Sequence, residues 1–431
     1  MTTIAEVKMW GTTIGAVMME DGEQTARFQY DGAFAKSGIA PSPLMMPTGN
    51  AVYEFPALSR HTFHGLPGML ADSLPDKFGH ALIDAWLARQ GRSPSSFNAV
   101  ERLCYTGARG MGALEYVPAT GPESNGDAAL SVAHLVELAN AILSHRDGLD
   151  TSFTADTSLA IGDILKVGTS AGGARAKAVI AWNPTSGQVR SGQTTLAPGF
   201  EHWLLKFDGI SNNRDKELAD PQGFGAIEYA YYRMACDSGI QMSECRLLEE
   251  GGRRHFMTRR FDRIDNDKRH MQTLGALAHM DYNMAGAYGY EQAMDVARRL
   301  GLSASATSQL FRRMVFNVVA RNQDDHVKNI AFLMDREGRW SLAPAYDMTY
   351  SYFPEGRWTS QHQMTVNGKR DHFTRDDFDN CDSVARLKRG EARRVLGEIL
   401  RVVAKWQDYA DDAAVNPQQR DAIWKTLRLD I

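Results

Sequence analysis

"RNQDDHVKNIAFLMDREGRWSLAPAYDMTY", residues 321–350, carries four Asp and a His around one recognisable hairpin. "IAFLM" predicts a strand, "DREG" a tight connection and "RWSLAP" a returning strand, and a hairpin brings its two open ends together. Asn329 precedes the outgoing strand and Asp347 follows the returning one, so two oxygen ligands 18 positions apart can meet. Such a pair suits magnesium, which takes hard oxygen donors and usually only one or two protein groups. Asp324 lies five residues before Asn329 on the approach side of the same loop, where a carboxylate can face a substrate hydroxyl. Read alone, the stretch also fits a solvated acidic loop, because Asp-rich segments commonly form turns and caps. In that reading His326 is a structural hydrogen-bonding residue and Asp325 is simply exposed.

The rest of the chain decides between these readings. Its 431 residues, 43% apolar and 9% aromatic, suffice for a large core divided into two or three lobes. With 48 basic and 52 acidic side chains the net charge is -4, which argues against the chain wrapping nucleic acid through its overall field. Cys104, Cys236, Cys245 and Cys381 lack CxxC spacing, so neither a zinc site nor a disulfide framework is expected, and a reducing cytoplasm is the default. No uncharged apolar run approaches the ~18 residues of a membrane span, and the N-terminus has no export pattern.

Residues 4–30 alternate apolar and polar positions around Asp21-Gly22, predicting a hairpin that opens a mixed α/β module. A helix is predicted from about Pro75, with Leu82, Ile83, Trp86 and Leu87 on one stripe and Gly91 as its stop. "PATGPESNGD", residues 118–127, is a loop and the first plausible boundary, followed by the helical pattern "SVAHLVELANAILSH". "ILKVGTSAGGARAKAVIAW", from Ile164, reads as strand, Gly-rich loop, strand, and "HWLLKF" and "HFMTRRF" as further strands around a helix at "GAIEYAYYRMACDSG". Beyond about residue 265 helical patterns dominate, including "SQLFRRMVFNVVARN" and "EARRVLGEILRVVAKWQDYA".

The spacing of Asp324 and Asn329, D-x-x-x-x-N, with a further Asp beyond a hairpin, is that of protein-kinase catalytic and metal-binding residues. Phosphoryl transfer then requires a Gly-rich loop and a strand lysine upstream. "GTSAGGARAK", residues 168–177, supplies Gly168, Gly172 and Gly173, whose backbone N–H groups can approach an anion, although a plain hairpin turn would use the same residues. It does not match a Walker loop. Lys206 closes "HWLLKF" after three apolar residues, an inward ammonium in need of anions. Glu228, on the next helix, is a candidate ion-pair partner, with an exposed helix carboxylate as the alternative.

Taken in order, these segments resemble the HipA family of bacterial serine/threonine kinase toxins. "SAGGARAK" is similar to the family's S-x-A-G-A-Q-x-K loop, "WLLKF" to its lysine strand, and "RRFDR" to its R-F-D-R segment. "NQDDHVKN" is similar to N-x-D-x-H-x-K-N, and "LAPAYDM" to L-A-P-x-Y-D. The resemblance implies an α+β, two-lobed protein-kinase-like fold: a β-rich N-terminal lobe with an added small α/β module, and a mainly helical C-terminal lobe. The corresponding domains are 1–117, 128–262 and 263–431. It also implies ATP and Mg2+ as cofactors. Asp324 would orient or deprotonate the hydroxyl, Asn329 and Asp347 would hold magnesium, and Lys206 would bind phosphate. Gly172, Gly173, Ala174, Arg175, Ala176 and Lys177 would lie against the phosphates, and Arg259, Arg260 and Phe261 would form the hinge that reads adenine. His326, Val327 and Lys328 would line the nucleotide site beside Asn329, with Tyr346 next to Asp347. Ser170 corresponds to the loop serine that the family autophosphorylates, a dianion that would repel the ATP phosphates. This chain departs from the pattern with Gly-Gly for Ala-Gly, Arg175 for Gln and Arg259 for Glu.

The expected function is that of a toxin kinase paired with a helix-turn-helix antitoxin of HipB type, through which most DNA contact would pass. Its target would be a translation component such as an aminoacyl-tRNA synthetase. Two other classes compete: a metal-dependent hydrolase using Asp324, Asp325 and His326 around an activated water, and an inactive nucleotide-binding module that holds a partner.

Overall fold

The computed structural model describes residues 2–122, 129–144, 164–165, 167, 175–193, 195–210 and 223–431. The chain divides into two compact units, one of residues 1–222, 248–272 and 334–339 and one of 223–247, 273–333 and 340–431.

The first unit opens with a five-stranded antiparallel sheet of order β4-β3-β2-β1-β5. Its strands are β1 (Thr2–Met9), β2 (Thr12–Glu20), β3 (Arg27–Tyr30), β4 (Val52–Tyr53) and β5 (Leu114–Val117). Alternation in β1 buries Ala5, Val7 and Met9 on one face, the period-2 signature of a half-buried strand. The hairpin expected at Asp21-Gly22 is the second of two turns. The first, at Trp10-Gly11, has both φ angles positive, 52° and 80°, as a twist-matched two-residue hairpin turn requires. Trp is not a turn former, so composition gave no sign of it.

The helix Lys77–Arg89 starts where the Asp76 carboxylate accepts the Gly79 N–H at 2.7 Å, and Gly91 (φ 68°) follows its end. Leu82, Ile83 and Leu87 are buried on its inner stripe. A second sheet has the order β7-β6-β8-β10-β9, built from β6 (Lys177–Trp182), β7 (Val189–Ser191), β8 (Glu201–Lys206), β9 (Cys245–Glu250) and β10 (Arg253–Arg259). Every residue of β6 is buried. Ala178, Ile180, Trp203, Leu205 and Met257 from this sheet share one core with Phe78 and Leu82 and with Leu135, Val136 and Ile142 of the helix Val132–Ser144. The expected strand at "ILKV" is corrected: Ile164, Leu165 and Val167 are helical and join that core. A short apolar run between loops has no periodicity that separates a buried helix from a buried strand.

The second unit is mainly helical. The helices Phe224–Asp237 and Ala304–Val319 meet through Tyr231, whose ring stands edge-on to Phe316 (6.2 Å) and Trp406 (5.2 Å). Tyr231 also donates its hydroxyl to the Ala320 carbonyl at 2.7 Å, satisfying an acceptor that the helix end leaves without a partner. The single C-terminal helix expected around 391–410 is two, Glu391–Val403 and Trp406–Asp412, with Trp406 fully buried after the break. The strands Ala331–Met334 and Trp340–Leu342 form the expected hairpin, closed by Ala343 N–H to Ala331 O at 3.0 Å. None of the described helices is long and apolar enough to cross a membrane.

Candidate active site

The helix Ala304–Val319 buries Leu310, Phe311, Met314, Val315, Val318 and Val319, and delivers the chain into the acidic loop. Arg321 turns left-handed (φ 58°), and the loop is then pinned from both sides. Asn322 donates its N–H to Asn317 O at 3.0 Å and its amide to Asn317 Oδ1 at 2.9 Å. Gln323 N–H donates to Ser351 O (3.1 Å) and Ser351 N–H to Arg321 O (3.1 Å), so the loop runs beside the segment that follows Asp347.

Three hydrogen bonds gather the residues singled out in the sequence. Asn329 Nδ2 donates to the backbone carbonyl of Asp324 at 2.7 Å. Tyr346 donates its hydroxyl to Lys328 O at 2.6 Å, which sets the residues before Asp347 and Asn329 against each other. Asn322 Nδ2 reaches Asp347 O at 3.4 Å. Asp324 is exposed, with His326 Nε2 at 3.8 Å from its Oδ1. Asp347 has a left-handed backbone (φ 54°), a conformation that Asp tolerates better than most residues and that recurs at functional sites. His326 also packs its ring against Tyr282 (5.7 Å), over which Lys328 places its ammonium at 4.7 Å, while Val327 is buried.

These donors fit magnesium. Asn329 spends its amide N–H on Asp324 O, so its amide oxygen is the atom left for a cation, and Asp347 adds a carboxylate. Among the described residues no group of three or more His, Cys, Asp or Glu could hold a metal, and magnesium usually takes only one or two protein groups.

The expectation that Asp325 is simply exposed is corrected. It is buried (2% exposed) and accepts from Tyr290 Oη (2.8 Å), from Gln363 N–H (2.7 Å) and from His362 Nδ1 (2.8 Å). Arg428 Nη1 lies 2.9 Å from His362 Nε2, and since arginine only donates, Nε2 accepts and Nδ1 carries the proton given to Asp325. Burial alone would raise the Asp325 carboxyl, but His362, Tyr290 and the Gln363 N–H outweigh it and hold it below its ordinary range. The network continues through Asn317, whose amide donates to Tyr290 Oη at 2.8 Å, and back to Asn322. The loop is thus a rigid base of buried hydrogen bonds carrying one exposed carboxylate.

The remaining expected residues, Glu228 apart, lie on the first unit. Lys206 is buried, with its ammonium 5.7 Å from the Phe256 ring centroid. It pairs in register with Lys177 across β6 and β8, and Lys177 sits in a buried ion pair with Asp76 at 3.1 Å. Arg175 donates to Phe207 O at 3.3 Å, and Ala176 is buried. Gly172, Gly173, Ala174 and Ser170 lie outside the described residues, as does Gly168. Arg259 pairs with Glu201 at 3.3 Å. Arg260 donates its N–H to His202 O at 2.9 Å and its guanidinium to Asp262, which also accepts from Arg263 and from Gly112 N–H, each at 2.7 Å. "RFDR" is therefore a buried charge cluster fixing the strand exit at Arg259, Arg260 and Phe261, with the Asp262 carboxyl held far below its ordinary range because two guanidiniums overcome its burial. Glu228, on the second unit, is buried rather than exposed.

The family comparisons bear on the whole chain. Residues 5–117 match the model of the HipA N-terminal domain, and residues 169–406 match that of the HipA-like C-terminal domain, more than half of the chain. The chain belongs to the HipA family. A solved HipA, from the Shewanella oneidensis MR-1 toxin–antitoxin complex of HipA, HipB and operator DNA, is similar over 98% of this chain and 94% of that one, with 14% identity and a TM-score of 0.66. That likeness shows the HipA fold, with its β-rich and helical parts. A fainter likeness to the Helicobacter pylori proinflammatory kinase CtkA (12% identity, 53% of this chain and 88% of that one, TM-score 0.31) carries no argument. No curated protein matches the chain.

His362, Tyr290 and Asn317 were not singled out from the HipA-like sequence. They meet the loop across 5 to 37 positions, and no local spacing marks such partners. The second Asp of "DDH" was the one available signal, since adjacent carboxylates on a pinned loop face opposite ways.

Proposed function

We propose that this HipA-family chain is an ATP- and Mg2+-dependent protein serine/threonine kinase, the toxin of a toxin–antitoxin pair. The observation that supports it most is the gathering of Asp324, Asn329 and Asp347 by the bonds Asn329 to Asp324 O, Tyr346 to Lys328 O and Asn322 to Asp347 O. In this reading Asn329 and Asp347 hold the cation, Lys206 binds phosphate, and Asp324 orients the incoming hydroxyl and takes its proton. Bound magnesium supplies charge neutralisation on the phosphate oxygens. The rigid base below the loop keeps Asp324 in place, so positioning rather than covalent chemistry is the protein's contribution. Arg175, Ala176 and Lys177 belong to the phosphate loop with Gly172, Gly173 and Ala174, and Arg259, Arg260 and Phe261 to the adenine hinge. His326, Val327, Lys328 and Tyr346 line the nucleotide site.

The domains in this reading are 1–117, 128–262 and 263–431. The partners are a helix-turn-helix antitoxin of HipB type, which carries the DNA contact, and a cytoplasmic target such as an aminoacyl-tRNA synthetase, with autophosphorylation at Ser170. The hydrolase alternative needs Asp325 at the metal, and all its hydrogen bonds are instead to Tyr290, His362 and Gln363.

Manganese, visible by electron paramagnetic resonance, tests the cation site in the presence of ADP. Asp347→Ala and Asn329→Ala are expected to weaken manganese binding at least tenfold, and Glu337→Ala, at the exposed hairpin turn, to leave it unchanged. Equal affinity in all three would remove Asn329 and Asp347 from the cation site.

A further inference from the structure

The helix Ala304–Val319 ends within the second unit on carbonyls that no further turn can satisfy. Two of them are taken by one residue: Arg428 donates its N–H to Val319 O at 3.0 Å and Nη1 to Val318 O at 2.9 Å. Nη1 also lies 2.9 Å from His362 Nε2, while Nη2 donates to Gln323 Oε1 at 3.2 Å and pairs with Asp371. All four Nη hydrogens thus have an acceptor. The guanidinium packs 5.3 Å from the Phe373 ring centroid, its side chain is only 9% exposed, and Asp371 supplies the counter-charge that this burial calls for.

These bonds bracket Asp324, which Gln323 precedes and Asp325 follows. Gln323 is buried; its side-chain oxygen accepts from Arg428 and from Arg321 (3.0 Å), and its amide donates to Thr359 O at 3.1 Å. Asp325 is reached through His362, whose Nε2 accepts from Arg428 and whose Nδ1–H goes to the Asp325 carboxylate at 2.8 Å. Both neighbours of the exposed carboxylate are therefore anchored to one buried guanidinium, itself fixed on the helix that delivers the loop. A lysine could keep the charge beside Asp371, but an ammonium with three donors on one atom cannot hold Val318 O, His362, Gln323 and Asp371 together.

We propose that Arg428 is a positioning residue for the reaction: by anchoring the residues on either side of Asp324, it sets the direction in which that carboxylate meets the incoming hydroxyl. The role given to Asp324 rests on the kinase reading above; the clamp rests on the hydrogen bonds alone. A residue that only orients Asp324 acts on the rate of transfer and leaves nucleotide affinity as it was. Its effect passes through Asp324, so little of it remains once Asp324 has lost its proton-accepting oxygen. An arginine that served the fold alone would lower the rate by the same factor with and without that oxygen.

The test is the single-turnover rate of autophosphorylation of the full chain at saturating γ-labelled ATP and magnesium, with Arg428→Ala and Arg428→Lys each made in the wild type and in Asp324→Asn. Arg428→Ala is expected to slow transfer at least tenfold and Arg428→Lys at least fivefold, with ADP affinity within threefold of the wild type. In the Asp324→Asn background each change is expected to cost less than threefold. Hydrogen exchange at the Asn322 and Gln323 amides, which are bonded to Asn317 O and Ser351 O, is expected to quicken at least tenfold in Arg428→Ala, while the amides of the β1–β2 hairpin stay as they were. Arg428→Lys retains the charge facing Asp371 and carries the comparison if the alanine variant does not fold. Equal losses in the two backgrounds, a loss matched by weaker ADP binding, unchanged transfer in the Arg428 variants, or unchanged exchange at Asn322 and Gln323 would each overturn the proposal. Faster exchange in Arg428→Ala with no transfer from the wild type upholds the clamp and sinks the kinase reading instead.

Discussion

Asp324→Asn is expected to cut phosphoryl transfer by about 10²- to 10⁴-fold, the usual contribution of a positioned base, while stability and nucleotide affinity stay close to those of the wild type. The exposure of Asp324 is the reason for the split. Its side chain is half open to solvent, and its backbone carbonyl, not its carboxylate, anchors Asn329. Asparagine keeps the shape and the backbone anchor but cannot take a proton. An exposed substitution of this kind usually changes stability by less than about 0.5 kcal/mol. Stopped-flow measurement of one turnover, with nucleotide binding followed separately, resolves the two effects. Unchanged turnover would remove the proton-accepting role, and lost nucleotide affinity would mean that Asp324 belongs to the binding site.

Asp325→Ala, one residue along, is expected to do the opposite: to cost about 3–5 kcal/mol of stability, the range for breaking a buried charged partnership, and to lose activity only because the loop loosens. The alanine would strand the His362 Nδ1–H, the Tyr290 hydroxyl and the Gln363 N–H in a buried site. Linkage gives a second signature. The folded carboxyl titrates below its ordinary range, so its stabilisation is present above the unfolded value of about 3.9 and disappears as pH falls. Urea denaturation at pH 7 and again near pH 3 is expected to show a wild-type advantage over Asp325→Ala that narrows in acid. A constant difference across that range would mean that the carboxylate's charge is not what holds the loop.

The contrast between these neighbours shows what could and could not be read from the amino-acid order. The hairpin after Asn329 was legible because strand, turn and strand follow one another in a few residues, each with its own propensity. The same holds for Lys206, whose strand announces itself by three apolar residues before a charge. Trp10-Gly11 and "ILKV" were misread for local reasons: a tryptophan in a left-handed turn has no compositional signal, and three apolar residues in a stretch of four are too few to show a period. Asp325 was misread for a non-local one. Its burial depends on His362 and Gln363, 37 and 38 positions away, and on a tautomer that Arg428 dictates from the C-terminal segment. Nor was the partner of Lys177 legible: its pairing with Asp76 joins residues about 100 positions apart, and nothing in "GGARAK" names it.

The most direct test follows the γ-phosphate itself. Wild-type protein incubated with γ-labelled ATP and magnesium, then resolved by mass spectrometric site mapping, is expected to carry label as an acid-stable ester on serine or threonine, Ser170 among the sites. Label recovered entirely as free phosphate, or esterified to the same extent in Asp324→Asn, would contradict the account.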